Sequence, residues 1–326
     1  MNGCSLNLKT DKMKEIGGYI EFETFRSDML HDDGIKLNCG RNAFAYLIKS
    51  RNIRKIWFPK MMCDSNDKVL SDNGLDVKHY SIGNDLRPED VPLAEDEWLY
   101  VVNYYGQLSD DEILSLKRKY DRIIVDNAQA YFQRPADGID TIYTCRKFFG
   151  VADGGILYTD ARLGIEFPVD ESFSRMNYLL GRFERNASEF YGEYASNNDM
   201  FFDEPVKRMS KLTENILHGI DYDFIRKRRT DNFRIYHDEL ASVNKLDLII
   251  PNGAFMYPLY IDNGVKIREK LKDMKIYIPT LWPNVIEKCS ENETEYDLAR
   301  NILPLPCDQR YSCNEIKYVI EAIKNV

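Results

Sequence analysis

One aspartate, one lysine and a pair of glycines stand in an order that could do chemistry. Asp126 closes the apolar run Ile123-Ile124-Val125, and Lys147 follows twenty-one residues later, beyond a second apolar stretch around Ile142. Gly154 and Gly155 come seven and eight residues after the lysine. A lysine amine can hold an aldehyde as a Schiff base. A carboxylate can keep a pyridine nitrogen protonated, so that the ring accepts electrons. The order therefore points to pyridoxal phosphate (PLP) chemistry, with Lys147 and Asp126 as the catalytic pair. An isolated aspartate is more often a helix cap, and most lysines are solvated. What sets Lys147 apart is its apolar company, Ile142, Phe148 and Phe149. That company predicts partial desolvation, which favours the neutral amine. Arg146 adds like charge beside it unless the two side chains point apart.

Other residue types fit a cofactor with a phosphate and a ring hydroxyl. Gly40-Arg41-Asn42 precedes a helical pattern, and amides at a helix start receive phosphate. Thr144, three residues before Lys147, either gives its hydroxyl to that phosphate or faces solvent. Asn103 and Gln129 each either bond the ring hydroxyl or brace a turn. Arg226, Arg228 and Arg229 resemble a phosphate clamp but read as the solvated flank of a long helix. Trp282 and Tyr311 either line a substrate entrance or pack the smaller domain, and packing is the commoner role.

The elements that would position these residues alternate. Short apolar strands near residues 35–39, 55–58, 77–82, 98–103 and 122–126 are separated by helical stretches near 43–51, 64–73 and 109–120. Ser109 and Glu112 form a capping box at the start of the third. Alternation of this kind predicts an α/β domain with a mostly parallel sheet covered on both faces. Beyond residue 160 the rhythm changes. Residues 172–194 read as a helix or two over the surface, and 213–240 as one long helix. Strands near 246–250, 255–261 and 276 and a helix near 265–272 follow, and a second capping box, Ser312 with Glu315, opens a C-terminal helix. The expected division is a large domain, residues 1–212, and a smaller α+β domain, residues 213–326.

Composition narrows the classes. The 326 residues are 44% hydrophobic and 30% charged, with a formal net charge of -9, which argues against nucleic acid. No apolar run is long enough to span a bilayer, and the first twenty residues lack a secretory core. Seven cysteines without a ligand spacing suggest reduced thiols in a cytoplasm. His31, His79, His218 and His237 are scattered, so no metal is expected. A G-x-G-x-x-G dinucleotide turn is missing.

Six segments in register carry a resemblance. Cys39-Gly40-Arg41-Asn42-Ala43, Val102-Asn103-Tyr104-Tyr105-Gly106-Gln107, Val125-Asp126-Asn127-Ala128-Gln129-Ala130, the lysine with its glycine pair, Arg208-Met209-Ser210 and Leu303-Pro304-Leu305-Pro306 resemble the DegT/StrS-type sugar aminotransferases. The resemblance covers roughly residues 37–326. It implies PLP fold type I, the aspartate-aminotransferase-like fold, and a homodimer. It implies that Lys147 forms the Schiff base, Asp126 pairs with the pyridine nitrogen and Gln129 lies near the ring hydroxyl. Gly40 and Arg41 would offer amides to the phosphate. Lysine at 147 favours amino transfer, since dehydrating members carry histidine there. Glutamate would be the amino donor and a nucleotide-linked keto sugar the acceptor, in surface polysaccharide biosynthesis. Three departures stand beside this. Cys63 takes the place of an aromatic that stacks on the cofactor, Cys39 and Arg41 replace a serine and a threonine, and Val206 replaces an asparagine. They imply a weaker grip on the cofactor and motivate an alternative: a PLP-fold protein that binds or scaffolds without catalysis.

Overall fold

Seven strands form one twisted sheet whose order places the ends of its central members at a common edge. The computed structural model describes residues 16–326. The first domain expected from the sequence thus begins in residues 1–15, which lie outside the described residues, as does Cys4. The sheet builds from β1 (Ile35–Leu37), α1 (Gly40–Ser50), β2 (Lys55–Pro59), α2 (Asp67–Asp72), β3 (Asp76–Tyr80), β4 (Trp98–Val102), α3 (Asp110–Tyr120), β5 (Ile123–Asp126), β6 (Asp140–Thr144) and β7 (Gly155–Tyr158). Its order is β1-β7-β6-β5-β4-β2-β3. β2 to β6 pair in parallel, and β7 runs against both β6 and β1. Every residue of β5 and β6 is buried, as strands covered on both faces must be. The Ser109–Glu112 capping box is present, with the Ser109 amide donating to Glu112 Oε2 at 2.8 Å. The mostly parallel α/β sheet expected from the sequence is the one found.

The remainder follows as α4 (Asn177–Glu184), α5 (Tyr191–Met200), α6 (Lys211–Leu217), α7 (Tyr222–Leu240), β8 (Met256–Tyr260), α8 (Gly264–Asp273), α9 (Pro283–Lys288), α10 (Thr294–Asn301), β9 (Ile302–Pro306) and α11 (Cys313–Lys324). β8 and β9 pair antiparallel, with Pro258 opposite Pro304. Prolines are tolerated because each strand of a two-stranded ribbon has a free edge. Three sequence readings need correction. The helix expected over 213–240 is two helices, parted at His218, Gly219, Ile220 and Asp221. The apolar stretch 246–250 forms no strand. Its backbone bonds to side chains instead, the Ile249 amide donating to Gln107 Oε1 at 2.9 Å. Ile276 likewise is buried in an irregular connection, not in a strand. Among the described residues no helix is long and apolar enough to cross a membrane.

Candidate active site

The parallel strands bring Asp126 to the carboxyl edge of the sheet, where open α/β folds bind ligands. Its carboxylate is fixed from two sides. Tyr100 Oη donates to Oδ2 at 2.9 Å, and the Ala128 amide donates to Oδ1 at 2.8 Å. Burial pushes the carboxyl above its ordinary range, against the opposing charge of Lys147, the Ala128 amide and the Tyr100 hydroxyl. Lys147 is thus within electrostatic reach of Asp126. Nothing in the strand pattern of β4 distinguishes Tyr100, the Asp126 partner, from an ordinary core tyrosine.

Lys147 follows β6 in a turn that reverses toward β7. Contrary to expectation it is exposed, with its ammonium 5.7 Å from the centre of the Phe255 ring. The apolar neighbours Phe148 and Phe149 turn into the core and leave the lysine facing out. Arg146 points elsewhere, over Phe201, so the two cations do diverge. The glycine pair has a steric cause. Gly154 sits at φ 115°, outside the range of other residues. A Cβ on Gly155 would stand 2.4 Å from the Cys39 carbonyl carbon and 2.7 Å from the Gly40 nitrogen. Only glycine lets the start of α1 lie this close to β7.

Gly40 opens α1 after the extended Cys39. The first helical bond runs from the Ala43 amide to the Cys39 carbonyl at 3.0 Å, so the amides of Gly40, Arg41 and Asn42 precede it. Thr144 is buried at the end of β6 and borders this start, its Cβ 3.8 Å from where a Gly40 Cβ would be. The Asn42 side chain is turned away, donating to Asn38 Oδ1 at 2.9 Å and to the Pro205 carbonyl at 2.8 Å. Burial pushes the Cys39 thiol up, so that it stays protonated. Cys63 is half-buried and bonds Ser65 Oγ at 2.8 Å. Its loop is pinned by Tyr104 Oη on the Met61 carbonyl at 2.5 Å and by the Asn284 amide on the Met62 carbonyl at 2.8 Å.

Asn103 and Gln129 each brace a turn. Asn103 is fully buried, donating to Asn127 and Gln133 and accepting from the Leu108 amide at 2.9 Å. Gln129 Oε1 accepts from the Tyr105 amide at 2.7 Å and holds that residue at φ 55°. Trp282 packs edge-on against Tyr104 and Tyr105, as expected of a packing residue.

Arg229 overturns its sequence reading. It is 2% exposed, the reverse of a solvated face. It donates to Gln309 Oε1 at 2.8 Å, to the carbonyls of Ala254 and Phe255 at 3.0 and 3.3 Å, and to the Phe148 carbonyl at 3.1 Å. It therefore ties the turn bearing Lys147 to the segment bearing Phe255. The helical period was the signal: Ile225, Phe233, Tyr236 and Leu240 lie four before and four, seven and eleven after Arg229, which puts it on the buried face of α7. Asp32, Glu214 and His218 bring ligand-type atoms together, but the Lys36 ammonium stands 2.5 Å from Asp32 and 2.7 Å from Glu214 and already balances the acids.

No family model matches the sequence, and no curated protein matches it. Solved structures do match. DesV from S. venezuelae aligns with a TM-score of 0.64 at 15% identity, over 92% of this chain and 85% of that one. Sugar aminotransferase CalS13 from Micromonospora echinospora gives 0.60 at 15%, over 89% and 86%. A DegT DnrJ EryC1 StrS aminotransferase from Brucella abortus gives 0.57 at 14%, over 89% and 85%. At these identities the likeness is one of fold: the chain has the aspartate-aminotransferase-like architecture of the DegT/StrS-type aminotransferases, as its motifs predict.

Proposed function

We propose that this protein is a PLP-dependent aminotransferase that aminates a keto sugar. The observation that carries the reading is the buried, doubly hydrogen-bonded Asp126 carboxylate with the Lys147 cation in electrostatic reach. The residues fit the cofactor in kind: an acid for a pyridine nitrogen, an amine for an aldehyde, and a helix start for a phosphate. Asp126 and Lys147 would hold the ring end, with Gly40, Arg41 and Thr144 at the phosphate. When bound, PLP supplies an electron sink for charge released at the α-carbon of an amino donor.

The chain's own residues do the rest. Asp126 keeps a proton on the ring nitrogen, and Tyr100 with the Ala128 amide fixes the direction of its oxygens. Lys147 Nζ, exposed and unconfined, takes up the α-proton of the donor as general base. Phe255 presents its ring to that amine, with the ring centre 5.7 Å from the nitrogen. Arg229 fixes the backbone on both sides of this contact. Similarity in fold to proteins described as sugar aminotransferases supports a sugar acceptor. The sequence resemblance supports a nucleotide-linked keto sugar, glutamate as donor, a role in surface polysaccharide synthesis, a homodimer in the cytoplasm, and a cofactor domain over residues 1–212.

The test is direct. PLP-loaded protein is reduced with borohydride, digested, and its peptides are weighed. The expected result is cofactor mass on the peptide containing Lys147, lost in Lys147→Ala. Cofactor mass confined to another lysine overturns the assignment.

A further inference from the structure

Two apolar surfaces of this chain lie bare, and they suit each other. The first is the segment 16–22, ahead of the sheet. Ile16, Tyr19, Ile20 and Phe22 are 99%, 98%, 88% and 60% exposed, and the segment forms no helix or strand. Ile20-Glu21-Phe22-Glu23 alternates apolar and acidic residues as a strand does, yet it pairs with no strand among the described residues. Its base is fixed. The Phe25 amide donates to Asn215 Oδ1 at 2.9 Å, Asn215 Nδ2 donates to the Glu23 carbonyl at 2.8 Å, and the Ser27 amide donates to the His218 carbonyl at 3.1 Å. The Phe25 ring covers Gly219, where a Cβ would meet it at 2.7 Å. An anchored arm thus holds four apolar side chains out in water. The second surface is on α4. Phe190, between α4 and α5, packs against Gly181, and Tyr178 is buried. Leu180 and Phe183, one turn apart, are left 62% and 93% exposed, and Phe173 and Tyr191 are exposed as well. α4 borders the turn that carries Lys147, with the Leu179 side chain 3.9 Å from where a Gly150 Cβ would stand. The anchor of the arm reaches that turn too, because Tyr222, three residues after Gly219, packs edge-on against Phe149 at 5.5 Å.

Single exposed apolar residues are ordinary, whereas grouped ones mark an interaction surface. The charges beside them are complementary. Glu21 and Glu23 on the arm make no ion pair among the described residues. On α4, Arg182 makes none either, while Arg185 after it is paired with Glu189. We infer that residues 16–22 of one copy lie across α4 of a second copy, and the reverse, in a two-fold dimer whose contacts flank the Lys147 turns. Both halves of the contact belong to one chain, and in that chain they leave each other uncovered. A second copy supplies both at once, and a two-fold axis closes the assembly. The area suffices. At about 150–250 Å² for a buried aromatic, an arm with Tyr19, Phe22 and two isoleucines offers on the order of 500 Å². Two arms and the two faces they cover then bury on the order of 2,000 Å², against about 1,200–2,000 Å² for a stable interface. The choice of a second copy rests on the homodimer proposed above; the segments that join it are read from these surfaces.

Sedimentation of the 326-residue chain over a concentration series tests the contact. The wild type should dimerise. Ile20→Asp with Phe22→Asp spoils the arm, and Leu180→Asp with Phe183→Asp spoils the face. All four residues are exposed, so the circular dichroism of each variant should match wild type. Each pair of substitutions should weaken the dimer about ten-fold or more. Mixing the two variants should recover association, because the mixed dimer keeps one sound arm against one sound face. Should either pair misfold, serine at the same positions carries the test. Glu21→Lys with Glu23→Lys should also weaken the dimer, and Arg182→Glu added to them should recover part of the loss. A wild type that stays monomeric overturns the inference together with the homodimer. Variants that dimerise as tightly as wild type, or that fail to rescue each other, overturn the contact and leave a homodimer through another surface standing. Sedimentation needs no cofactor, so failure of the Lys147 assignment would not disturb the result.

Discussion

Replacing Arg229 by methionine should detach the Lys147 turn from the segment that carries Phe255. Arg229 is 2% exposed, and burial holds its guanidinium below the ordinary range. Its bonds reach three different pieces of chain: Phe148 after β6, Ala254 and Phe255 before β8, and Gln309 after β9. Methionine fills much of the volume and satisfies none of these acceptors. The Phe148 carbonyl keeps a second donor, Gln309 Nε2 at 2.9 Å. The carbonyls of Ala254 and Phe255 lose a charge-assisted donor, about 1.5–3 kcal/mol each, for a gross loss of roughly 3–6 kcal/mol. Relief from burying a charge offsets part of that and leaves a net loss of about 2–4 kcal/mol. Chemical denaturation of wild type, Arg229→Met and Arg229→Lys measures it. Lysine restores charge but only a point donor, so it should recover less than half. Borohydride labelling of Lys147 in PLP-loaded protein supplies the second readout, which a fold-wide loss of stability would not shift under native conditions. The reasoning fails if Arg229→Met unfolds within about 0.5 kcal/mol of wild type and labels Lys147 at the same rate.

Two further outcomes follow. Gly155→Ala should destabilise by about 3 kcal/mol, at the upper end of overpacking costs, because its Cβ would meet backbone atoms of Cys39 and Gly40 at 2.4–2.7 Å that cannot swing aside. Gly40→Ala, whose Cβ would meet nothing nearer than 3.8 Å, should change stability by less than about 0.5 kcal/mol; equal costs by denaturation would remove the steric account. Finally, His31 is fully buried, donates from Nε2 to the Tyr131 carbonyl at 2.7 Å, and is held by burial, with the Arg134 charge contributing, at about 4, below its ordinary 6.5. A depressed histidine stabilises the fold above 6.5 and loses that contribution as pH falls toward 4, about 1.4 kcal/mol of it by pH 5.5. The wild type should therefore lose that much more stability than His31→Gln between pH 7.5 and 5.5; parallel profiles would refute it.

The sheet was legible because burial on two faces leaves little choice of residue. Ile123-Ile124-Val125 and Ile142-Tyr143 announce central strands, and an acid ending such a run is conspicuous. The capping boxes at Ser109 and Ser312 were legible because they are local. What stayed hidden depends on distant partners. The brace bonds of Asn42, Asn103 and Gln129 run to Pro205, Leu108 and Tyr105, partners that no local pattern announces. Arg229 shares the face of Ile225, Phe233 and Tyr236 on α7, but the carbonyls that allow a charge to be buried there belong to the distant Ala254, Phe255 and Phe148. Residues 213–240 read as continuous because Gly219 interrupts the helix without disturbing its apolar period.

The charges at this edge of the sheet have a direction. Asp126 is a buried anion whose ionised form is costly, while Arg41 and Arg146 are cations with unmet donors, in a chain of net charge -9. Lys147 follows Arg146 in sequence, and its charge also acts on Asp126. A ligand that suits both ends must carry negative charge toward α1 and a protonated nitrogen toward β5. Either end alone leaves a penalty in place: a neutral ring without a phosphate leaves the arginines unpaired, and a bare phosphate leaves Asp126 buried with only the exposed Lys147 opposing its charge. Occupation by one bipolar molecule removes both. The two losses should therefore be separable by mutation, one at Arg41 and Arg146 and the other at Asp126, and should add if the poles do not touch.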